Sequence, residues 1–159
     1  MLPSYKVVLV GDAWVGKTSL LDKMRNGHYS DIHPTKGVDV QTLSISTNYG
    51  ELTLKIWDCA GFNKGLEDCY YVGADAAICM FDVSSRKPNI KKYARDVKCT
   101  APGAKIVYWG NKVDKIRVDD YVDLGVKYHR ISVKCGYNIE RPWLDLARRV
   151  TGFNDLVFI

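Results

Sequence analysis

The sequence predicts an α/β fold built on a mostly parallel sheet, and three observations support this prediction. Short β-branched runs alternate with longer amphipathic segments, which is typical of βα units. The first run, residues 6–10, is almost entirely apolar, as expected for a strand buried on both faces. A glycine-rich loop, residues 11–18, separates that strand from an amphipathic segment. With 159 residues the chain is long enough for one core, so we expect a single domain over residues 1–159.

Each predicted element follows from its own local pattern. Residues 38–46 and 52–57 alternate apolar and polar side chains around Asn48-Tyr49-Gly50, which indicates a hairpin. Gly27 and Pro102-Gly103 end the two helical segments before them. Residues 115–124 carry no clear pattern and are expected to be irregular. The remaining predicted strands are 6–10, 76–81, 105–109 and 128–132, and the predicted helices are 18–26, 90–99 and 139–150.

Composition limits the cellular setting. No apolar run approaches the roughly 20 residues of a membrane span. The start lacks a signal layout, and neither end carries a lipidation motif, so we expect no membrane anchor. The five cysteines form no CxxC or Cys/His cluster, which predicts reduced, buried thiols rather than a zinc site. The net charge of +5 is compatible with an acidic partner without requiring one.

The glycine-rich loop is the first chemical motif. Backbone N–H groups of such a loop surround phosphate oxygens, and glycines allow the close approach. Lys17 would bring its charge to the β- and γ-phosphates, Thr18 would ligate Mg²⁺, and Ser19 continues the anion-binding start of the helix. The motif GxxxxGK[ST] is matched by Gly11, Asp12, Ala13, Trp14, Val15, Gly16, Lys17 and Thr18.

Two further motifs follow predicted strands. Asp58 could hold Mg²⁺ through water, and the amide of Gly61, three residues later, could face a γ-phosphate. Asp114 could accept two hydrogen bonds from N1–H and the 2-amino group of guanine, a donor pair that adenine lacks. Asn111 would brace that pocket and the stem of Lys112 would pack on the base. A third base-side loop, in which a backbone N–H could meet guanine O6, consists of Ser132, Val133 and Lys134.

With these motifs in order, the chain resembles the small GTPases of the Ras superfamily over residues 5–158, and within it is most similar to the Ran branch. The segments that carry this resemblance are residues 5–12, 81–86, 110–114, 131–140 and 142–149. The resemblance implies a P-loop G domain, with a six-stranded, mostly parallel sheet flanked by helices. It also implies binding of GTP or GDP with Mg²⁺, and GTP hydrolysis.

The resemblance further implies two nucleotide-sensitive switch segments. Switch I would surround Thr35, whose hydroxyl would reach Mg²⁺ in the GTP state, and switch II would run from residue 58 to about residue 71. The aromatic side chain that stacks on guanine is best matched by Tyr29, with His28 as the competing choice. Catalytic roles then fall to Lys17, Thr35 and Gly61, and the metal ligands would be Thr18, Thr35 and Asp58.

The chain departs from the Ran pattern in both switches and in the phosphate loop. Phe62, followed by Asn63 and Lys64, stands where the family has a glutamine that orients the attacking water. Ala13 and Trp14 replace glycines, and the indole would either obstruct an incoming arginine finger or lid the site, with packing the favoured reading. Switch I is one residue short, its usual tyrosine is replaced near residue 32, and Ran's basic patch and acidic tail are missing.

These observations predict a monomeric GTP/GDP switch that hydrolyses GTP slowly and binds regulatory and effector proteins, with Ran-type transport factors among the candidates. The alternative is a nucleotide-loaded scaffold that engages Ran partners without cycling. The resemblance implies cytoplasm and nucleus as locations. A third reading, nucleic-acid association, depends on one basic helix face, for which a solvated surface is favoured. That face consists of Lys91, Lys92, Arg95 and Lys98.

Overall fold

The computed structural model describes residues 1–26, 38–59, 67–121 and 123–159. Six strands and four α-helices alternate along these ranges, with two 3₁₀ turns after the fifth strand. The strands are β1 (Ser4–Val10), β2 (Val38–Thr47), β3 (Gly50–Cys59), β4 (Ala76–Asp82), β5 (Lys105–Asn111) and β6 (His129–Arg130). The helices are α1 (Lys17–Asn26), α2 (Glu67–Tyr71), α3 (Ile90–Thr100) and α4 (Glu140–Thr151), and the 3₁₀ turns are Val113–Lys115 and Val118–Asp120.

The strands form one sheet in the order β2-β3-β1-β4-β5-β6. Five strands are parallel, and β2 alone runs antiparallel, beside β3. The predicted mostly parallel sheet of six strands is therefore confirmed. The hairpin turn differs slightly from its prediction, because Gly50 pairs with Thr47 and only Asn48 and Tyr49 form the turn.

Helices cover both faces of the sheet. On one face, α1 and α4 pack on alternate residues of β1 and β3, with Leu20 and Leu146 fully buried there. On the other face, α2 and α3 contribute Tyr71 and Val97 to a second buried cluster. Both faces of β1 are thus excluded from water, which explains its apolar run. The carboxyl ends of the parallel strands β1, β3, β4 and β5 meet at one edge, where ligands bind in sheets of this kind.

Two segments differ from their predicted structure. The region expected to be irregular, residues 115–124, contains the second 3₁₀ turn and the last residue of the first, and nearby residues pack on a third small cluster that includes Phe81, Val83 and Ile90. The last strand is two residues long rather than five. It stops early because Ser132 exchanges two backbone hydrogen bonds with Tyr137 and so leaves the sheet.

The prediction that the cysteines are buried is wrong for three of the five. Cys59 and Cys79 are buried on strands, whereas Cys69, Cys99 and Cys135 are exposed. Burial raises the pKa of the Cys79 thiol to about 12. The exposed cysteines lie on two helices and a turn, where a periodic pattern is needed to assign a face and a single residue provides none.

The basic face of α3 is exposed at all four predicted positions, which fits a solvated surface. Within the described ranges, no helix has the length and apolar character needed to span a membrane.

Candidate functional site

The glycine-rich loop lies between β1 and α1, at the edge where the parallel strands end. Gly11 has a φ of 153°, and a Cβ there would lie 2.1 Å from the carbonyl oxygen of Met80 in β4. Gly16 has a φ of 102°, and its Cβ would lie 2.4 Å from Nδ2 of Asn111. Both glycines are therefore required for the loop to pack this closely on the ends of β4 and β5.

Lys17 begins α1 and is folded back across the loop. Its ammonium donates hydrogen bonds to the carbonyl oxygens of Gly11, at 2.8 Å, and Asp12, at 2.9 Å. The residue is only 6% exposed. Burial lowers the pKa of Lys17, while the charges of Asp58, Cys59 and Asp12 act in the opposite direction. The two carbonyl acceptors hold the lysine as a fixed donor in the centre of the loop.

Thr18 and Asp58 come together from α1 and the end of β3. The hydroxyl of Thr18 donates to Oδ2 of Asp58 at 2.5 Å, and Asp58 is fully buried. A hydroxyl and a carboxylate next to a phosphate-binding loop form the oxygen donor set that Mg²⁺ prefers. These two predicted metal ligands therefore fit the ion.

The base-side motif is connected to the loop by Asn111. Its Nδ2 donates to the carbonyl oxygen of Val15 at 2.8 Å, and its Oδ1 accepts from the N–H of Val133 at 3.0 Å. Asn111 is 3% exposed, so both bonds are shielded from water. The predicted bracing role thus has a geometric basis, because one amide joins the phosphate loop to residues 132–134.

Asp114 is positioned by a hydrogen bond from the third motif. The hydroxyl of Ser132 donates to its Oδ1 at 2.7 Å. The N–H groups of Ser132 and Val133 bond to other protein atoms, namely Tyr137 and Asn111. Among the three residues of that motif, Lys134 is therefore the one whose N–H is the candidate donor to guanine O6.

Lys112 makes two contacts that sequence reasoning missed. Its ammonium donates to the carbonyl oxygen of Trp14 at 2.6 Å and pairs with Oδ2 of Asp82 at 3.2 Å. Burial would raise the pKa of Asp82, but hydrogen bonds from Ser84 and the Lys112 ammonium outweigh it and lower the pKa overall. Lys112 itself has a φ of 68°. Asp82 ends a strand without any motif, so no sequence signal pointed to it.

A second missed contact involves Asp12. Its Oδ1 accepts hydrogen bonds from Nδ2 of Asn89, at 3.2 Å, and from the hydroxyl of Tyr93, at 3.1 Å. Both partners belong to the start of α3. The contacts tie the phosphate loop to a third element, and residues so far apart in sequence carry no local signal for such a pair.

The predicted phosphate-side and base-side residues meet in one cavity of about 290 Å³. Lys115, which no motif included, also lines it. The cavity is lined by Trp14, Gly16, Ser19, Asn111, Lys112, Asp114, Lys115 and Lys134. These residues come from the phosphate loop, from the start of α1 and from the motifs predicted to read the base. The arrangement suits an elongated ligand with a phosphate at one end and a hydrogen-bonding ring at the other.

Several predicted site residues lie outside the described ranges. They are Tyr29 with its competitor His28, Thr35, Gly61, and the switch II residues Phe62, Asn63 and Lys64. Their assigned roles stay predictions.

The two readings of the Trp14 side chain, packing over the site and obstruction of an arginine finger, stay predictions. Trp14 is 61% exposed and lies at the cavity. Its backbone has a φ of 66° and is held at the carbonyl by Lys112.

Comparison with known families agrees with this geometry. The family model described as the Ras family matches residues 6–152, which includes β2 to β6, most of β1, and the motifs at residues 11–18, 58–61, 111–114 and 132–134. Members of that family bind GTP or GDP, typically with Mg²⁺, and interact with regulatory and effector proteins. A loop that fits phosphate, a Thr18–Asp58 pair that fits Mg²⁺, and a cavity that Gly16 and Ser19 line together with Asp114 agree with that assignment. The chain therefore belongs to the Ras family of small GTPases.

Proposed function

We propose that this small GTPase is a Ran-like guanine-nucleotide switch that hydrolyses GTP slowly. The single observation behind slow hydrolysis is the residue after Gly61, which is Phe62 rather than glutamine. Phenylalanine has no polar group that could orient the attacking water. Asn63 and Lys64 follow, so no glutamine stands nearby in the sequence either.

Another glutamine of the chain does not replace it. The chain's sole glutamine is Gln41, on β2. The Nε2 of Gln41 donates to Oδ2 of Asp39 at 3.1 Å, on a strand at the edge of the sheet. This side chain is already engaged with a neighbour on its own strand, which supports slow hydrolysis.

The remaining parts of the site support tight nucleotide binding. Lys17 would give its charge to the β- and γ-phosphates, while Thr18 and Asp58 would hold Mg²⁺. The ion, when bound, would neutralise phosphate charge. Asp114, positioned by Ser132, would accept the two guanine donors. The family's glutamine orients water and does not hold the nucleotide, so its loss would reduce hydrolysis without reducing binding.

The Ran-like part of the proposal rests on sequence similarity in residues 81–86, 131–140 and 142–149. This part of the proposal also includes the cytoplasm and nucleus as locations, a monomeric state, and Ran-type transport factors as candidate partners. The test is binding of the GTP-loaded chain to purified nuclear transport receptors, with the GDP-loaded chain as control. GTP-dependent binding would support the branch assignment, and equal or no binding would contradict it.

A non-cycling, nucleotide-loaded scaffold is the second candidate, favoured by Phe62 together with the exposed indole of Trp14 beside the cavity. The experiment that separates the two measures the nucleotide in freshly purified protein and then follows single-turnover GTP hydrolysis. Bound GTP with negligible turnover supports the scaffold. Bound GDP with slow, measurable turnover supports the switch. Rapid turnover would contradict both.

A further inference from the structure

Trp14 is a bulky aromatic residue in an unusual place. It lies in the middle of the phosphate loop with a φ of 66°, in the left-handed region that large L-residues rarely adopt. Its side chain is 61% exposed, although an indole gains free energy from burial. A strained backbone and an uncovered aromatic ring at a binding site together indicate a contact that forms with a ligand.

The backbone around Trp14 is fixed to the end of β5. Lys112 donates to the carbonyl oxygen of Trp14 at 2.6 Å, and Asn111 donates to the carbonyl oxygen of Val15 at 2.8 Å. Lys112 is in turn held by Asp82 at 3.2 Å. These bonds keep residue 14 at the wall of the cavity in a set orientation.

The position of Trp14 along the cavity identifies the part of the ligand it would meet. All four of Gly16, Ser19, Asp114 and Lys134 line the cavity; the first two, from the phosphate loop and helix start, would lie at its phosphate end, and the last two, from the base motifs, at its base end. Trp14 is bonded to Lys112 of the base motif and belongs to the phosphate loop, so it lies between these ends. In a nucleoside diphosphate that middle portion is the ribose. Among the described residues that line this cavity, Trp14 is the aromatic one.

We propose that the indole of Trp14 covers the ribose of the bound guanine nucleotide and slows its release. An aromatic ring packs well on the apolar face of a sugar, and covering the open side of the cavity excludes water from the phosphates. The nucleotide would in turn bury the exposed indole. This inference rests on the proposed nucleotide-binding function and assigns the side chain of Trp14 a role separate from the backbone of the loop.

The test compares release of radiolabelled GDP from the wild-type chain and three variants, in Mg²⁺ with excess unlabelled GDP. A radioisotope, unlike a fluorescent group attached to the ribose, leaves the proposed contact undisturbed. Trp14→Gly and Trp14→Asn remove the ring while tolerating the positive φ. Trp14→Phe keeps an aromatic ring. We expect release about tenfold faster for the Gly and Asn variants, and within about threefold of wild type for Phe.

Tryptophan fluorescence supplies an independent readout. Trp109 and Trp143 are buried, and Trp57 is half-buried with the Lys6 ammonium over its ring at 3.8 Å, so iodide in the free protein should quench the exposed indole of Trp14 more than the other three. GDP should protect wild-type fluorescence from iodide, and the Trp14→Phe variant should lose that protected component. Circular dichroism of each variant checks that the fold is retained.

The outcomes separate this inference from the nucleotide function. If the wild-type chain and all three variants bind GDP, release it at equal rates and show unchanged quenching, the role of Trp14 is overturned and the GTPase assignment stands. Faster release from the Phe variant than from the Gly variant would also overturn it, since the ring would then weaken binding. A wild-type chain that binds neither GDP nor GTP would refute the nucleotide function and this inference together.

Discussion

At the scale of single residues, the chemistry of this GTPase depends on a few side chains whose partners the structure identifies. Asp114 is held by the Ser132 hydroxyl at 2.7 Å, and Lys17 by two loop carbonyl groups. A charged acceptor that is already oriented loses little entropy when a ligand arrives. Mutations at these positions should therefore act on nucleotide affinity, while the switch II position should act on turnover.

Removing the carboxylate of Asp114 should weaken GDP binding strongly. Asp114→Ala leaves the N1–H and 2-amino donors of guanine without an acceptor, which costs about 2–3 kcal/mol, or roughly 30- to 150-fold in affinity. Ser132→Ala removes only the positioning bond and should cost about threefold to tenfold. Isothermal titration with GDP measures both effects.

The control for this pair is Asp119→Ala, which removes an exposed carboxylate outside the cavity. It should leave GDP affinity unchanged. If Asp114→Ala bound GDP as tightly as this control, the base-side reading of the cavity would be wrong.

Introducing the missing glutamine should accelerate hydrolysis. Phe62→Gln supplies a side chain that can orient water, and we expect the intrinsic single-turnover rate to rise roughly tenfold. Phe62→Leu removes the ring without adding a polar group and should give no gain. Equal rates for the Gln and Leu variants would show that the absent glutamine does not explain slow turnover.

At the scale of secondary-structure elements, the site depends on how closely the phosphate loop packs on the ends of β4 and β5. The loop is connected to β5 through Asn111 and Lys112, and to α3 through Asp12. Three elements thus fix one loop of eight residues, and Gly11 is the point of closest approach, against the Met80 carbonyl. A side chain at position 11 would therefore have to displace the backbone at Met80.

Gly11→Ala should therefore destabilise the fold by more than about 2 kcal/mol. Two other glycines separate the effect of close packing from the effect of backbone strain. Gly73 has a φ of 71°, and a Cβ added there would meet nothing within 4 Å, so Gly73→Ala should cost about 1 kcal/mol from backbone strain alone. A Cβ added at Gly103 would also meet nothing within 4 Å, so Gly103→Ala should leave the free energy of unfolding nearly unchanged. Urea unfolding without added nucleotide measures all three, and equal losses at Gly11 and Gly73 would contradict the close-packing explanation.

At the scale of the whole molecule, distant elements are held by carboxylates whose charge matters to stability. Asp145 on α4 accepts from Arg149 at 3.0 Å and contacts Nε2 of His129, on β6, at 3.2 Å. Burial would raise the pKa of Asp145, but His129 and Arg149 outweigh it and lower the pKa overall. Because the carboxylate is favoured in the folded state, its contribution is present above the ordinary pKa of 3.8 and is lost as pH falls through the lowered folded value.

Asp145→Asn should consequently be less stable than wild type at pH 7. The difference should shrink as the pH falls below about 3.8, because wild type then loses the same charge. Thermal unfolding across this pH range measures it, with Asp119→Asn as a matched surface control. A difference that stayed constant down to about pH 2 would rule out the charge as its cause.

Much of the fold and part of the site could be predicted from the sequence. Alternating apolar runs indicated the sheet and three of its four described helices within a residue or two at most ends, because burial on both faces produces a local pattern, whereas the five-residue helix α2 was not predicted. The length of β6 could not be predicted, since Ser132 bonds to Tyr137 instead of β5. The exposure of Cys69, Cys99 and Cys135 could not be predicted either, because a single residue shows no periodicity.

The sequence by itself determined the motif chemistry: a loop that needs glycine at positions 11 and 16, oxygen ligands at Thr18 and Asp58, and an acceptor at Asp114. These follow from residue type and short spacing. Only the tertiary structure decided that Lys112 joins Asp82 to the Trp14 carbonyl and that Trp14 is an exposed residue at the cavity. Such contacts arise where the ends of separate strands meet, so their partners lie tens of residues apart and leave no local pattern to read.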